Sequence, residues 1–227
     1  MTLSRPCALS GALVWASTAL AVWAWFMLPE GAGAPVRLLS ADGQVRTAVS
    51  REALWAIPIL APLVWTGLVF APRFAGERVE EAAPELYHAI LVAVAALLLA
   101  VEAALVAAAF DPAFDPVRPI ALAAGALLIA VGNDLGKARR NRLVGLRLPW
   151  TLADARVWDK AHRFAGRGLL AGGVVLMALS LALDGPVALA GAIAGCVVLP
   201  VLAAAVWSWR LSRRLSRAPS RAPSRRA

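Results

Sequence analysis

Six apolar runs constrain this chain more than any other feature. They extend from Ala8 to Leu28, Ala53 to Ala71, Leu86 to Phe110, Val117 to about Gly136, about Gly168 to Leu183, and Val187 to Trp207. A helix needs roughly 20 apolar residues to cross a bilayer core, within a range of about 17–25. Runs one, two, three and six meet that length unaided, whereas four and five are short of it. Soluble domains are about 45–50% apolar. This chain is 60% hydrophobic, with a mean hydropathy of +0.70. The expected fold class is all-α: a polytopic membrane protein of about six transmembrane helices, with one amphipathic interfacial helix.

The net charge of +9 would suggest nucleic acid in a soluble protein. In a membrane protein, basic residues collect on the cytoplasmic side. With the N-terminus inside, Arg5, Arg73, Arg78, the nine Lys and Arg from Lys137 to Arg167, and the seven Arg from Arg210 onward are all cytoplasmic. Only Arg37, Arg46, Arg51 and Arg118 fall outside. Both termini are therefore expected in the cytoplasm, with no direct nucleic-acid contact. The first run, preceded by "MTLSRP" and followed by "AGA", has some features of a signal peptide. Its length exceeds the roughly 7–15 residues of a signal core, which predicts a retained helix. Trp23, Trp25 and Trp55 fit an outer aromatic belt, and Trp207 and Trp209 mark the inner end of run six.

Three units are expected: a membrane half over 1–116, with an outside loop at 29–51; a second half over 117–209, containing a polar stretch at 132–166; and a basic disordered tail at 210–227. In the outside loop, Asp42-Gly43 between β-compatible residues signals a hairpin with a type I′ turn, with an irregular loop as the alternative. Pro58 and Pro62 are expected to kink the second helix. Asp184-Gly185-Pro186 suits a tight helical hairpin. Gly168 with Gly172, and Gly191 with Gly195, are small-residue pairs that let helices approach closely. Cys7 and Cys196 are too dispersed for a structural disulfide. No Cys or His spacing holds a metal, and no cofactor is expected.

The stretch "GNDLGKARRNRLVGLRLPWTLADARVWDKAHRFAG", Gly132 to Gly166, interrupts the apolar pattern. To span, run four must carry Asn133 and Asp134 to the membrane edge, where Lys137, Arg139 and Arg140 are the nearest partners. Pro149 biases Leu148 away from helix, so the chain turns there. Thr151 and Asp154 fit a capping box for a restarted helix. Val157, Trp158, Ala161, Phe164 and Ala165 then share one face, and Arg156, Lys160, Arg163 and Arg167 the other. That pattern predicts an amphipathic helix lying on the inner leaflet, its Trp and Phe in the headgroups, running directly into run five.

This stretch resembles the signature of the SdpI family. The match is carried by Gly132, Asn133, Gly136, Lys137, Arg139, Asn141, Gly145, Arg147, Pro149, Trp150, Thr151, Leu152, Val157, Trp158, Lys160, His162 and Arg163. Arg140 departs from the usual Pro, and Leu146 and Leu148 also differ. The N-terminal half is similar to the domain of unknown function that often precedes this signature, through Leu28-Pro29, Pro35 and Asp42-Gly43. The His of that domain is absent here. The resemblance implies a membrane protein of the bacterial cytoplasmic membrane that gives immunity to a membrane-active peptide toxin. It also implies recruitment of a small cytoplasmic repressor-type protein when toxin is sensed.

The expected partner-binding residues are Asn133, Lys137, Arg139, Asn141, Arg147, Pro149, Trp150, Thr151, Trp158, Lys160, His162 and Arg163. Positive-inside topology alone would be met by any Lys or Arg; the interleaved Asn, Gly, Pro and Trp argue for a specific shape. His162 has no second His or Cys beside it, and the stretch shows no catalytic set. The expectation is accordingly a binding protein and not an enzyme. Glu102 sits within run three, where a carboxylate costs about 2.5–3.5 kcal/mol on insertion scales. It is either a neutral side chain hydrogen-bonded to another helix or a functional group of a small transporter.

Overall fold

The computed structural model describes residues 5–29, 33–34, 38–39, 45–46, 49–75, 83–111, 113–141 and 143–217. Its helices are α1 (Arg5–Met27), α2 (Ala56–Ala75), α3 (Pro84–Phe110), α4 (Val117–Leu135), the short α5 (Pro149–Ala153), α6 (Ala155–Ala182) and α7 (Pro186–Arg217). A 3₁₀ turn, Arg51–Trp55, leads into α2. Six of these segments are long and apolar enough to cross a membrane, one for each apolar run. At about 1.5 Å per residue, α4 is about 28 Å long, just enough for a core of about 30 Å. It reaches that length only by including Gly132 through Leu135, as its composition requires. Pro58 falls in the first turn of α2, where its missing N–H would have no intrahelical partner, whereas Pro62 and Pro72 lie inside the helix.

Two expectations are corrected at the C-terminal half. The first turns of α6 do not offer the expected apolar face to a leaflet, Phe164 alone of that face being exposed. Helix α6 is one unbroken helix of 28 residues, and the rest of that face is covered by protein: Val157, Trp158, Ala161 and Ala165 are all buried. The opposite stripe of Arg156, Lys160, Arg163 and Arg167 is exposed as expected. The tail does not begin at residue 210, because α7 continues as helix through Arg217. Residues 218–227 lie outside the described residues.

Helix α3 joins the two halves. Its Ala95 packs with Val14 of α1 and with Ile57 and Ala61 of α2. Its Leu86 enters a second core with Ala121, Leu128 and Leu135 of α4, Ala165, Leu169 and Leu176 of α6, and Ala204 of α7. The crossing of α4 and α6 is built on glycine. A Cβ on Gly132 would lie 2.7 Å from the Gly166 carbonyl oxygen, and one on Gly173 would lie 2.6 Å from that of Gly125. Gly168 and Gly172 meet Pro200 and Cys196 of α7, as small residues at a helix interface should. Gly191 and Gly195 do not: nothing would lie within 4 Å of a Cβ on either. Both cysteines are free.

One end of the bundle carries Trp23 against Phe110 (ring centroids 5.3 Å apart) and Trp25 near Trp55 (5.8 Å). The Arg51 guanidinium lies over the Trp25 ring and donates to the Trp25 carbonyl. At the same end Arg118 pairs with Asp184 at 3.0 Å, tying the start of α4 to the α6–α7 turn. Between α1 and the 3₁₀ turn, Leu38–Leu39 pairs antiparallel with Val45–Arg46, and Gly33–Ala34 with Val49–Ser50. This is the hairpin alternative, but in a register centred on residue 42. A two-residue turn at Asp42-Gly43 would set residue 39 opposite residue 46, whereas Leu39 faces Val45. Asp42, Gly43 and Pro35 themselves lie outside the described residues.

Candidate functional site

The polar stretch closes on itself at the opposite end of the bundle. Helix α4 ends at Gly136, and the Lys137 ammonium returns to Asp134 at 2.5 Å. The hydrogen bond and the charge of Asp134 raise the Lys137 pKa above its ordinary value. Asn141 then folds the backbone over its own side chain. Its Oδ1 accepts from the N–H groups of Leu143 (2.9 Å) and Val144 (2.7 Å), and its Nδ2 donates to the Arg139 carbonyl (2.9 Å). This is an Asx-type turn, in which a short amide side chain replaces a backbone partner.

His162 holds the next part of the loop. The Leu146 N–H donates to its Nε2 at 2.9 Å. Nδ1 therefore carries the hydrogen and donates to the Trp158 carbonyl at 2.8 Å. The imidazole is stacked 3.9 Å from the Trp158 ring, and Trp158 Nε1 donates to the Ala138 carbonyl at 2.9 Å. Gly145 passes directly over the imidazole with φ +111°, and a Cβ there would sit 2.3 Å from Nε2. Only glycine meets both demands.

Beyond Leu148 the chain enters α5 with Pro149 at its first position, where a missing N–H is harmless. The Thr151 hydroxyl accepts from the Leu148 N–H (3.0 Å) and donates toward the Leu146 carbonyl (2.6 Å). Asp154 caps α6 by accepting from the Arg156 N–H at 2.7 Å, a hydrogen bond that lowers the Asp154 pKa. Thr151 and Asp154 thus do not form the single capping box expected of them; they serve two successive helices. Trp150 Nε1 donates to Ser208 Oγ at 3.0 Å and ties the loop to α7.

The twelve expected binding residues therefore separate into two groups. Asn141, Thr151, Trp158 and His162 are buried and build the loop from within. They are corrected from surface contacts to loop-bracing residues, because their polar atoms are occupied by the loop's own backbone. Trp158, being inaccessible, is also not a headgroup anchor. Asn133, Lys137, Arg139, Arg147, Pro149, Lys160 and Arg163 are exposed, and Trp150 is half-buried. Sequence reasoning missed Gly145 as the residue that admits His162 and Ser208 as the partner of Trp150. It also missed the pairs Gly125/Gly132 and Gly166/Gly173, whose matched seven-residue spacing was the available signal. Glu102 lies apart from this loop, fully buried on α3, and neither carboxyl oxygen has a hydrogen-bond partner. The expected hydrogen bond to another helix is not made among the described residues.

Six apolar helices with a braced polar loop at one end define a multi-pass membrane protein. Residues 137–208 match the SdpI/YfhL protein family, so the resemblance carried by the loop is shown over that segment. The chain is 44% identical over 61 residues to the immunity protein SdpI of Bacillus subtilis (strain 168). That stretch covers 27% of this chain and 30% of the relative's length. Residues 1–136, with Glu102 and the N-terminal resemblance, lie outside the family match. No solved structure matches. Six apolar helices and a bacterial relative make this a multi-pass bacterial membrane protein.

Proposed function

We propose that the protein gives a bacterial cell immunity to a membrane-active peptide toxin, and that the braced loop is the docking surface for a cytoplasmic regulator. The observation that supports this most is coincidence in place. The segment that matches the SdpI/YfhL protein family, residues 137–208, contains the loop whose buried residues hold a fixed backbone shape. On that shape Lys137, Arg139, Arg147, Pro149, Trp150 and Lys160 are presented outward, a cationic face with an aromatic edge suited to an acidic protein surface. Asn133 and Arg163 flank it. The reading is of a binding protein and not an enzyme: His162, the side chain best suited to acid–base work, has both ring nitrogens engaged by backbone groups.

The test keeps the charge and changes the shape. Arg139→Lys with Arg147→Lys preserves the positive count but removes two planar forks that bind carboxylates bidentately. Docking predicts normal insertion with partner recruitment weakened about tenfold, or about 1.4 kcal/mol, and with reduced survival of a complemented deletion strain against antimicrobial peptides. Undiminished recruitment and survival would leave these arginines with a topological role alone.

A second reading, a small transporter, is favoured by Glu102. A buried carboxyl without a partner is costly to maintain and is the natural carrier of a proton or cation. Glu102→Gln keeps shape and polarity but cannot ionise. The transport reading predicts that this variant inserts normally and loses all proton-coupled flux in reconstituted liposomes. A parent protein that carries no flux excludes it.

A further inference from the structure

A cavity of about 210 Å³ opens between the inner ends of α4 and α6, lined by Asn133, Gly136, Arg163, Gly166, Arg167 and Leu170 together with Gly132. Its walls differ in character. Gly132 and Gly166 bring the two backbones together, because a Cβ on either would collide with the neighbouring helix, and a Cβ on Gly136 would already be 3.3 Å from Arg163 Cγ. Arg163 and Arg167, four residues apart, share one face of α6. Both are exposed, and neither forms an ion pair among the described residues. Two carboxylates are near: Asp134, next to Asn133, is held by Lys137 at 2.5 Å, and Asp159, four residues before Arg163 on α6, is exposed and makes no ion pair among the described residues. Asn133, whose Nδ2 donates to Asp134 Oδ1 at 3.0 Å, lies at the rim. One turn deeper along α6, Leu170 is 38% exposed, so the floor of the cavity is apolar.

We propose that this cavity binds the phosphate of an anionic phospholipid, with Arg163 and Arg167 as the two forks and Leu170 against the first part of an acyl chain. Along α6 the two guanidinium groups of Arg163 and Arg167 precede the exposed Leu170, the order of a lipid from headgroup to tail. Basic pockets between membrane helices are suited to such headgroups, and guanidinium matches phosphate bidentately. The depth agrees, since Gly132 belongs to the spanning helix α4 and Lys137 lies beyond it. Asn133 and Arg163 are thereby assigned to lipid instead of the protein partner. The inference stands independently of the immunity reading.

The test uses purified full-length protein in detergent, offered equimolar phosphatidylglycerol and phosphatidylcholine, with retained lipid counted by native mass spectrometry. One phosphatidylglycerol per chain should persist, in preference to phosphatidylcholine. The double variant Arg163→Gln/Arg167→Gln should hold it about tenfold more weakly, with an unchanged melting temperature because both side chains are exposed. Arg213→Gln/Arg214→Gln, which removes equal charge from the end of α7, should retain it fully. Equal retention of the two lipids by the parent would overturn the proposal without reference to any variant. Equal loss in both double variants would reduce the effect to diffuse charge. Displacement of phosphatidylglycerol by millimolar inorganic phosphate would assign the cavity to free phosphate and overturn the lipid.

Discussion

His162 shows how a residue that reads as surface chemistry can be a structural joint. Its two ring nitrogens join Leu146 to Trp158, and its face lies on the Trp158 ring. His162→Phe keeps an aromatic of similar size but removes the acceptor for a half-buried N–H. Leaving such a group unsatisfied costs about 1–3 kcal/mol. The variant should melt several degrees below the parent in detergent and should expose the loop to limited proteolysis between Lys137 and Arg147. A melt and digest indistinguishable from the parent would remove His162 from this role. The sequence pointed to these residues through their types and spacing, but those say nothing of direction. Their interleaving with Lys and Arg predicts a binding surface that includes Asn141, Thr151, Trp158 and His162. They face inward because the Asn, Thr and imidazole groups satisfy backbone groups, and the indole N–H a carbonyl, that a non-helical loop otherwise leaves bare.

At the scale of elements, periodicity and length were readable, and contacts were not. Each apolar run became a helix, because in a bilayer the backbone has few other ways to satisfy itself. Polar residues continue a helix past the apolar part in α6, as a restarted helix running into run five predicts, and in α7 through Arg217, where the tail was expected instead. Glycine pairs were readable as candidates only, since a spacing does not name a neighbour. Gly168 and Gly172 have one, and Gly191 and Gly195 do not. This separates two substitutions that look alike. Gly166→Ala places a methyl 2.6 Å from the Gly132 carbonyl. Overpacking of that kind costs about 1–3 kcal/mol and should lower both melting temperature and folded yield. Gly191→Ala meets nothing and should match the parent in both. A Gly191→Ala variant as damaged as Gly166→Ala would mean that an additional surface covers that face of α7.

For the whole molecule, the even number of spans places the start of α1 and the end of α7 at one end of the bundle, with the braced loop. The distribution of Lys and Arg predicts that this end lies in the cytoplasm. Single cysteines at Gln44 and Gly185 should react with an impermeant thiol reagent on intact cells, and one at Arg142 only after lysis. Labelling at Arg142 on intact cells would invert the arrangement. The unbroken course of α6 has a mechanical consequence. The residues that grip the loop, Trp158 and His162, and those that lie deep against α4, Gly166 and Gly173, belong to one rigid rod of 28 residues without an internal proline. A tilt of about 10° pivoting near Gly173 would carry Trp158, about 22 Å away along the axis, sideways by about 4 Å. Anything that wedges between the helices in the bilayer is thereby converted, without a hinge, into a sideways stroke of the loop on the other side.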